Sequence, residues 1–346
     1  MTQALVRAVS SVPTGAAKRA PLPARPGVLP FAVAITVLNL LGHTWLGFEQ
    51  AWLTPFVSLL AAYLSELGVE VAINGWRQAR FRGGAANFVR FLLPAHITGL
   101  AVAMLLYTGE QFVVVAFASS LAIFSKVLFR VPVQGGPGPP SVHFMNPSNL
   151  GITVTLLLFS DWVGVVQPYQ FTENVSGALD WLLPFIIVCS GSFLNWRATK
   201  RMPLILAWLL GFGAQALLRS LISPQHIVNL LAPMTGLAFV LFTFYMITDP
   251  VTTPRETKGQ IAFGVATAAV YGLLTHAGIV FGLFFALSLV CAGRGGLLWL
   301  QGRRAPTGTW LAPDREAGGR VSKGAVSGEY LNGEQPTTEV GSLSGR

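Results

Sequence analysis

The chain has 346 residues, of which 52% are hydrophobic and only 11% charged, with a formal net charge of +9. Soluble globular chains carry about a quarter charged residues, so the shortfall points to lipid as the solvent and argues against a soluble enzyme. The basic residues are dispersed between apolar runs and form no basic face, which excludes nucleic acid as the reason for the positive charge. Positive charge of this kind belongs to the cytoplasmic loops of membrane proteins.

In chain order, residues 1–27 are polar and rich in Pro, Ala and Arg, and are expected to form a cytoplasmic tail. The first apolar run begins near Leu29; with no small-residue cleavage site after it, it is expected to be a retained helix. A spanning helix needs roughly 20 mostly apolar residues. On that rule, spans are predicted at 29–47, 52–72, 91–108, 111–128, 149–166, 181–195, 203–221, 228–247, 260–275 and 277–297. Two pairs form tight hairpins, joined by Thr108-Gly109-Glu110 and by Thr275-His276-Ala277-Gly278. The membrane domain runs from 28 to 298. Residues 299–346 are rich in Gly, Ser, Thr, Glu and Arg, lack apolar periodicity, and are expected to be a disordered cytoplasmic tail.

Lysine and arginine set orientation. With the N-terminus in the cytoplasm, all of the 23 basic residues except Arg219 fall on the cytoplasmic side. Both ends therefore lie inside, and the fold expected is an all-α polytopic membrane protein of about ten helices. The outer loops carry Glu49, Glu110, Asp161, Glu173 and Asp180, and the largest is 160–181.

Two cytoplasmic-side stretches interrupt the apolar pattern: residues 131–154, with "FMNPSNLG", and residues 247–259, "ITDPVTTPRETKG". Asn146-Pro147 and Asp249-Pro250 each stand at the mouth of a span. Asn or Asp before Pro favours a turn, and Pro suits the first turn of a helix. Both elements are thus expected to open helices, with Ser148, Asn149, Thr252 and Thr253 suited to capping. Helix N-termini also present free N–H groups and partial positive charge, and broken helices facing each other at membrane depth bind substrates and ions. The repeated [Asn/Asp]-Pro element hints at an internal duplication.

Glu66 and Glu70 lie four apart late in the second span. They are either ion-pathway carboxylates or partners of Arg77 or Arg80 near the inner interface. Arg219 reads as snorkelling at a helix end. The histidines are scattered, and none makes an i, i+4 ligand pair. The two cysteines, Cys189 and Cys291, lie in apolar runs without metal spacing, so a thiolate-held cluster is excluded. No metal site is predicted. There is no nucleophile elbow, HExxH, Walker A or Rossmann glycine pattern.

"YMITDPVTTPRETKGQIAFGV", 245–265, resembles the signature of the RnfD/NqrB family, the membrane subunits of ion-pumping, flavin-carrying redox complexes. Met246, Thr248, Asp249, Pro250, Val251, Thr252, Lys258 and Gly259 carry the likeness. "FMNPSNLG" is similar to the family's Phe-Asn-Pro element, and the resemblance extends over roughly 30–298. It implies a multi-pass protein of the bacterial cytoplasmic (inner) membrane with other membrane redox subunits as partners. It also implies a site for FMN or riboflavin framed by Asn146, Ser148, Asn149, Ser176, Thr248, Asp249, Thr252, Thr253 and Lys258. The family joins FMN by phosphoester to a Thr in an outer Ser-Gly-Ala-Thr motif. Here the run is Ser176-Gly177-Ala178-Leu179, and leucine offers no hydroxyl, so any flavin is expected to be non-covalent. With its altered attachment motif and short polar C-terminal tail, the chain also resembles the UnbU-type members of this family, membrane proteins of enediyne biosynthesis clusters. That likeness implies a cofactor-free transporter or exporter, or a scaffold for biosynthetic enzymes.

Overall fold

A computed structural model describes residues 27–48, 50–132, 141–165, 177 and 179–304. Its helices are α1 (Val28–Leu41), α2 (Thr54–Asn74), α3 (Ala85–Leu105), α4 (Phe112–Leu128), α5 (Pro147–Leu158) and α6 (Leu179–Leu194). They continue with α7 (Met202–Ile222), α8 (Ile227–Leu231), α9 (Leu237–Leu241), α10 (Thr257–His276) and α11 (Gly282–Arg304). Each of the ten predicted spans overlaps a helix, and the eleventh helix arises because one span is broken; the expected span 149–166 is corrected to the shorter α5, which ends at Leu158 and is followed by a turn and the short strand Gly164–Val165. Between α8 and α9 the axis bends by 67°. Pro233 lies in the short turn Ala232–Thr235 that follows α8, and Gly236 then adopts extended geometry. The regular hydrogen-bond ladder is interrupted there, and the helix restarts in a new direction.

Among the described residues, five helices are long and apolar enough to cross a membrane, and the bent pair makes six. α4 and α5 are shorter apolar helices. Lipid as solvent explains the surface: Phe56, Leu64, Phe185, Leu210, Leu221 and Val280 are all exposed. In water, that much apolar surface would drive association.

The core is a continuous aliphatic and aromatic cluster centred on Trp208 and Phe212 of α7. Trp208 is fully buried, packs against Phe239, Phe242 and Tyr271, and donates from Nε1 to Thr243 Oγ1 at 2.9 Å. Close backbone approach fixes two helix pairs. A Cβ at Gly264 of α10 would lie 2.7 Å from the Leu204 carbonyl of α7, and one at Gly151 of α5 would lie 2.4 Å from the Ala118 carbonyl of α4. Small residues at crossings are the usual device of membrane helices, which gain little hydrophobic energy from one another.

Two short antiparallel ribbons tie the helix ends. β1 (Leu106–Tyr107) pairs with β4 (Gly164–Val165), and β2 (Arg130–Pro132) pairs with β3 (Ser141–His143). Both hairpins expected from the sequence are tight: Gln111 N–H donates to Thr108 O at 2.9 Å, and Gly278 N–H to Thr275 O at 3.1 Å. Both cysteines are free thiols, Cys291 buried and Cys189 exposed. Residues 1–26 and 305–346 lie outside the described residues, whereas 299–304, expected to begin the disordered tail, continue α11 to Arg304.

Candidate functional site

The two Pro-containing motifs are 100 residues apart, yet they touch. Asn146 Nδ2 donates to the Met246 carbonyl at 2.9 Å, with Asn146 only 5% exposed. The same side chain caps α5. Its Oδ1 accepts from the Asn149 N–H at 3.0 Å and from Ser148 Oγ at 3.2 Å, and Pro147 occupies the first turn. One residue thus starts a helix and clasps the second motif.

The Met246 carbonyl is available because the backbone before it is π-helical. Residues Phe242–Met246 form a π-turn, closed by Ile247 N–H to Phe242 O at 2.9 Å. A π-turn displaces carbonyls from the regular ladder, and side chains meet them here. Asn195 Nδ2 donates to Phe244 O at 2.8 Å, as does Thr248 Oγ1 at 2.8 Å. Asn195 itself opens a second π-turn, Asn195–Thr199, and its Oδ1 accepts from Thr199 Oγ1 at 2.7 Å.

Asp249-Pro250 departs from the expectation drawn from its sequence. It does not open a helix. Asp249 Oδ1 accepts from the Val251 N–H at 3.2 Å and Oδ2 from Thr252 Oγ1 at 2.9 Å; the Asp249 carbonyl accepts from Thr253 Oγ1 at 2.6 Å. These bonds close a local turn that competes with helix. Pro254 then holds the preceding residue out of helical geometry, so α10 starts only at Thr257. Thr252 and Thr253 are therefore turn residues, not caps of α10; its N-cap position is Glu256, which makes no side-chain capping bond. The two [Asn/Asp]-Pro elements thus lead into different structures, one a helix and the other a turn.

Two arginines hold this turn. Arg201, 5% exposed, donates from Nε to Thr253 Oγ1 at 2.9 Å, and through its terminal nitrogens to the Pro250 and Thr199 carbonyls at 3.2 Å each. Burial pushes its guanidinium below the ordinary arginine value, and the neighbouring Asp249 carboxylate acts in the opposite direction. Arg294 of α11 donates to the Thr252 carbonyl at 3.0 Å. Gln260 joins from α10, with Nε2 donating to the Lys200 and Arg255 carbonyls at 3.1 and 3.0 Å. On the α5 side, Asn149 Nδ2 reaches the Phe284 carbonyl at 2.9 Å and Ser288 Oγ at 2.8 Å, and Thr153 meets Ser288 at 2.8 Å.

The result is a buried polar layer joining α5, α6, α7, α9, α10 and α11. It brings together Asn146, Ser148, Asn149, Thr248, Asp249, Thr252 and Thr253. Most of their hydrogen-bonding capacity is engaged within the protein, so they shape this end of the bundle. Lys258 is exposed on the first turn of α10, and Ser148 and Asp249 are half-buried; these are the members of the set most open to a ligand or partner. Ser176 lies outside the described residues. Leu179 is the first residue of α6, and Gly177 just before it is exposed with φ 69°. A hydroxyl-linked flavin does not fit position 179, which has no hydroxyl to carry it.

Glu66 and Glu70 stand apart, at the far end of α2. Glu70 accepts from the Arg80 N–H at 2.6 Å and, through Oε2, from Arg80 Nε at 2.8 Å and the guanidinium terminus at 2.6 Å. That hydrogen bonding raises the Arg80 pKa above its ordinary value, against the effect of burial. Glu66 pairs with Lys126 at 3.0 Å. Sequence reasoning missed Arg201, Arg294, Asn195, Gln260 and Ser288. Their signal is present, as polar residues within or beside apolar runs, but such residues serve equally well as orientation signals or connections.

Residues 167–291 match the model of the NQR2, RnfD, RnfE family. The range contains the Asp249 turn, Arg201, Asn195 and Leu179, whereas the 144–151 element precedes it. A subunit of the ion-translocating oxidoreductase complex of Pectobacterium atrosepticum is 30% identical over 128 residues, covering 36% of this chain and 36% of that protein. The subunit of the same name from Klebsiella pneumoniae is 30% identical over 103 residues, covering 30% and 29%. The alignments span about a third of the length of these curated relatives. In its second half, then, the chain is similar to the NQR2, RnfD and RnfE membrane subunits, and the similarity contains one of the two motifs that meet at the polar layer.

Proposed function

We propose that the protein is an integral membrane subunit of an electron-transport system of the RnfD/NqrB type, with redox subunits as its partners. One observation carries this reading. The Thr-Asp-Pro-Val-Thr turn lies inside the matched range and is held by Arg201 and Arg294, with Asn146 clasping the Met246 carbonyl just before it. Side chains distant in the sequence converge on this turn, and that convergence inside the matched range is what supports the reading. Asn146, Ser148, Asn149, Thr248, Asp249, Thr252, Thr253 and Lys258 frame the proposed cofactor or docking site, in which Lys258 offers an exposed cation to an anionic group; Ser176, in the outer loop 160–181, is a separate candidate on the other side of the membrane. A flavin here is non-covalent, because Leu179 cannot form the phosphoester; when bound, such a group supplies the one- and two-electron chemistry. If transport is ion-coupled, Glu66 and Glu70 are the carboxylates proposed for the pathway. The bacterial inner membrane is the proposed location.

Leu179 also favours a second reading: a cofactor-free exporter or scaffold of the UnbU type, working with natural-product biosynthetic enzymes. One experiment separates the two. Protein purified in detergent is denatured, the extract is measured for flavin absorbance, and the intact chain is weighed. The redox reading expects extractable flavin and an unmodified chain. A colourless preparation without extractable flavin sinks it. An unmodified wild type beside a flavin-loaded Leu179→Thr would show that the attachment loop survives and lacks only the hydroxyl.

A further inference from the structure

An apolar groove runs between α1 and α3 on the face turned to lipid. It has a volume of about 380 Å³, with Leu29, Val33 and Val37 of α1 on one wall and Phe88, Leu92 and Leu93 of α3 on the other. Leu29 and Phe88 stand near the helix starts, at the end of the bundle that the distribution of Lys and Arg places inside. His96, Thr36 and Tyr63 line the other end of the groove, midway along their helices. From Phe88 to His96 the helix rises about 12 Å. Half of a bilayer's hydrocarbon core is about 15 Å, so the groove is about one leaflet deep.

The floor of the groove is polar but closed on itself. Thr36 Oγ1 donates to the Ala32 carbonyl at 2.7 Å, so toward His96 Nε2, also at 2.7 Å, it accepts. Nε2 therefore carries the ring proton, and Nδ1 accepts from the Tyr63 hydroxyl at 2.6 Å. All three donors are committed within the protein. A carbonyl or phosphate entering first would meet no free donor, so the end of a ligand that reaches the floor is apolar.

The mouth is basic and held in place. The loop after α2 carries Trp76, Arg77, Arg80 and Arg82, and it packs on a small core of Ala79, Phe81 and Phe91. The Phe81 ring meets Trp76 at 5.6 Å and Phe88, on the groove wall, at 6.0 Å, which sets the loop against the mouth. Asn87 Nδ2 donates to the Arg80 and Arg82 carbonyls at 2.7 and 3.0 Å, fixing the backbone on both sides of Phe81. Glu70 neutralises Arg80, and Glu66, one turn earlier, is taken by Lys126. Arg77 and Arg82 are exposed and, among the described residues, form no ion pair; the first turn of α3 contains no acid. Trp76 is 62% exposed, and tryptophan so placed settles at headgroup depth.

We infer that groove and loop together bind one anionic phospholipid of the inner leaflet, with an acyl chain between α1 and α3 and the phosphate held by Arg77 and Arg82 beside Trp76. Arginine matches phosphate through its forked donors, and each basic group near the membrane surface adds attraction for anionic lipid. An acidic protein face would answer the two arginines and leave the groove to bulk lipid; one phospholipid answers both. The inference goes beyond the electron-transport reading and stands whether or not a flavin is bound.

The test uses the full chain, washed free of lipid in detergent. Its thermal midpoint is compared with added dioleoyl phosphatidylglycerol, dioleoyl phosphatidylcholine or glycerol phosphate, and native mass spectrometry counts the lipids retained. Phosphatidylglycerol at tenfold excess over Kd should raise the midpoint by on the order of 2 °C, with one molecule retained, and the other two probes should not. Arg77→Gln combined with Arg82→Gln should weaken phosphatidylglycerol binding on the order of thirtyfold and erase its advantage over phosphatidylcholine. Val33→Trp fills the groove from an exposed position and should lose the lipid with both arginines intact. These variants alter exposed residues and should keep the lipid-free midpoint. Equal retention of the two lipids by wild type, or a preference that survives the double arginine variant, would overturn the proposal. Undiminished binding by Val33→Trp, or an equal shift with glycerol phosphate, would overturn it by showing that no chain occupies the groove. An acidic protein that copurifies with wild type but not with the arginine variant, without any lipid preference, would overturn it by giving the surface to that partner.

Discussion

Replacing Asn146 tests whether the two motifs are joined as described. Asn146→Ala removes two things at once. The first is the N-cap of α5, the bond from the Asn149 N–H to Oδ1 at 3.0 Å; losing such a cap costs about 1 kcal/mol. The second is the donor to the Met246 carbonyl at 2.9 Å. That carbonyl belongs to a π-turn and keeps only the long bond from the Asp249 N–H at 3.4 Å, a loss of about 1–3 kcal/mol. The sum is about 2–4 kcal/mol, or a fall on the order of 3–6 °C in thermal midpoint for a chain of this size. Asn146→Ser separates the terms, since serine caps well but cannot reach the Met246 carbonyl; it should recover about 1 kcal/mol of the loss. The assay is thermal unfolding in one detergent, compared at one scan rate because membrane proteins commonly unfold irreversibly. If both variants stay within about 0.5 kcal/mol of wild type, the range of an ordinary surface substitution, the clasp contributes nothing and the polar layer is not a unit.

Three further substitutions probe the rest of the frame. Gly151→Ala places a Cβ 2.4 Å from the Ala118 carbonyl and 2.9 Å from Ala122 Cβ; overpacking of about 1–3 kcal/mol should outweigh the gain of up to about 1 kcal/mol in helix propensity, so a midpoint at or above wild type would contradict the α4–α5 contact. For the Glu70–Arg80 pair, the side chains are 1% and 61% exposed, so the two deletions should be unequal. Arg80→Ala strands a buried carboxylate at about 3 kcal/mol or more, whereas Glu70→Gln frees an arginine that can turn to water; a double-mutant cycle with equal single effects would refute this. Trp208→Phe loses the Thr243 hydrogen bond at 2.9 Å and leaves space in a fully buried site, for about 2–4 kcal/mol; an unchanged unfolding midpoint would show that the aromatic cluster is not the core.

What the sequence displayed and what it concealed divide along a physical line. Apolar run length is a local property, and each predicted span overlaps a helix because the bilayer demands that backbone groups be satisfied within a segment. Even the break in the 228–247 run had local causes in Pro233 and Gly236, although the run was long enough to pass for one span. The polar layer is different. Asn146 meets a carbonyl 100 residues away, Arg201 a hydroxyl 52 away, and Arg294 a carbonyl 42 away. Such partners leave no periodicity to read, and the same arginines carried a sufficient explanation as orientation signals. Asp249-Pro250 shows why local resemblance between motifs misleads. Like Asn146-Pro147, it sets an acceptor before a proline at the mouth of a span, but Pro254 four residues later forbids the helix that the first pair opens. The two motifs therefore take complementary parts: one supplies a rigid helix start with a spare amide N–H, the other a turn whose preceding π-helical carbonyl receives it. A duplicated pair of helix caps would leave their free N–H groups facing each other and call for an anion between them. The observed pair is closed by its own hydrogen bonds, so the groups still accessible around the layer are above all Lys258 and the half-buried Ser148 and Asp249.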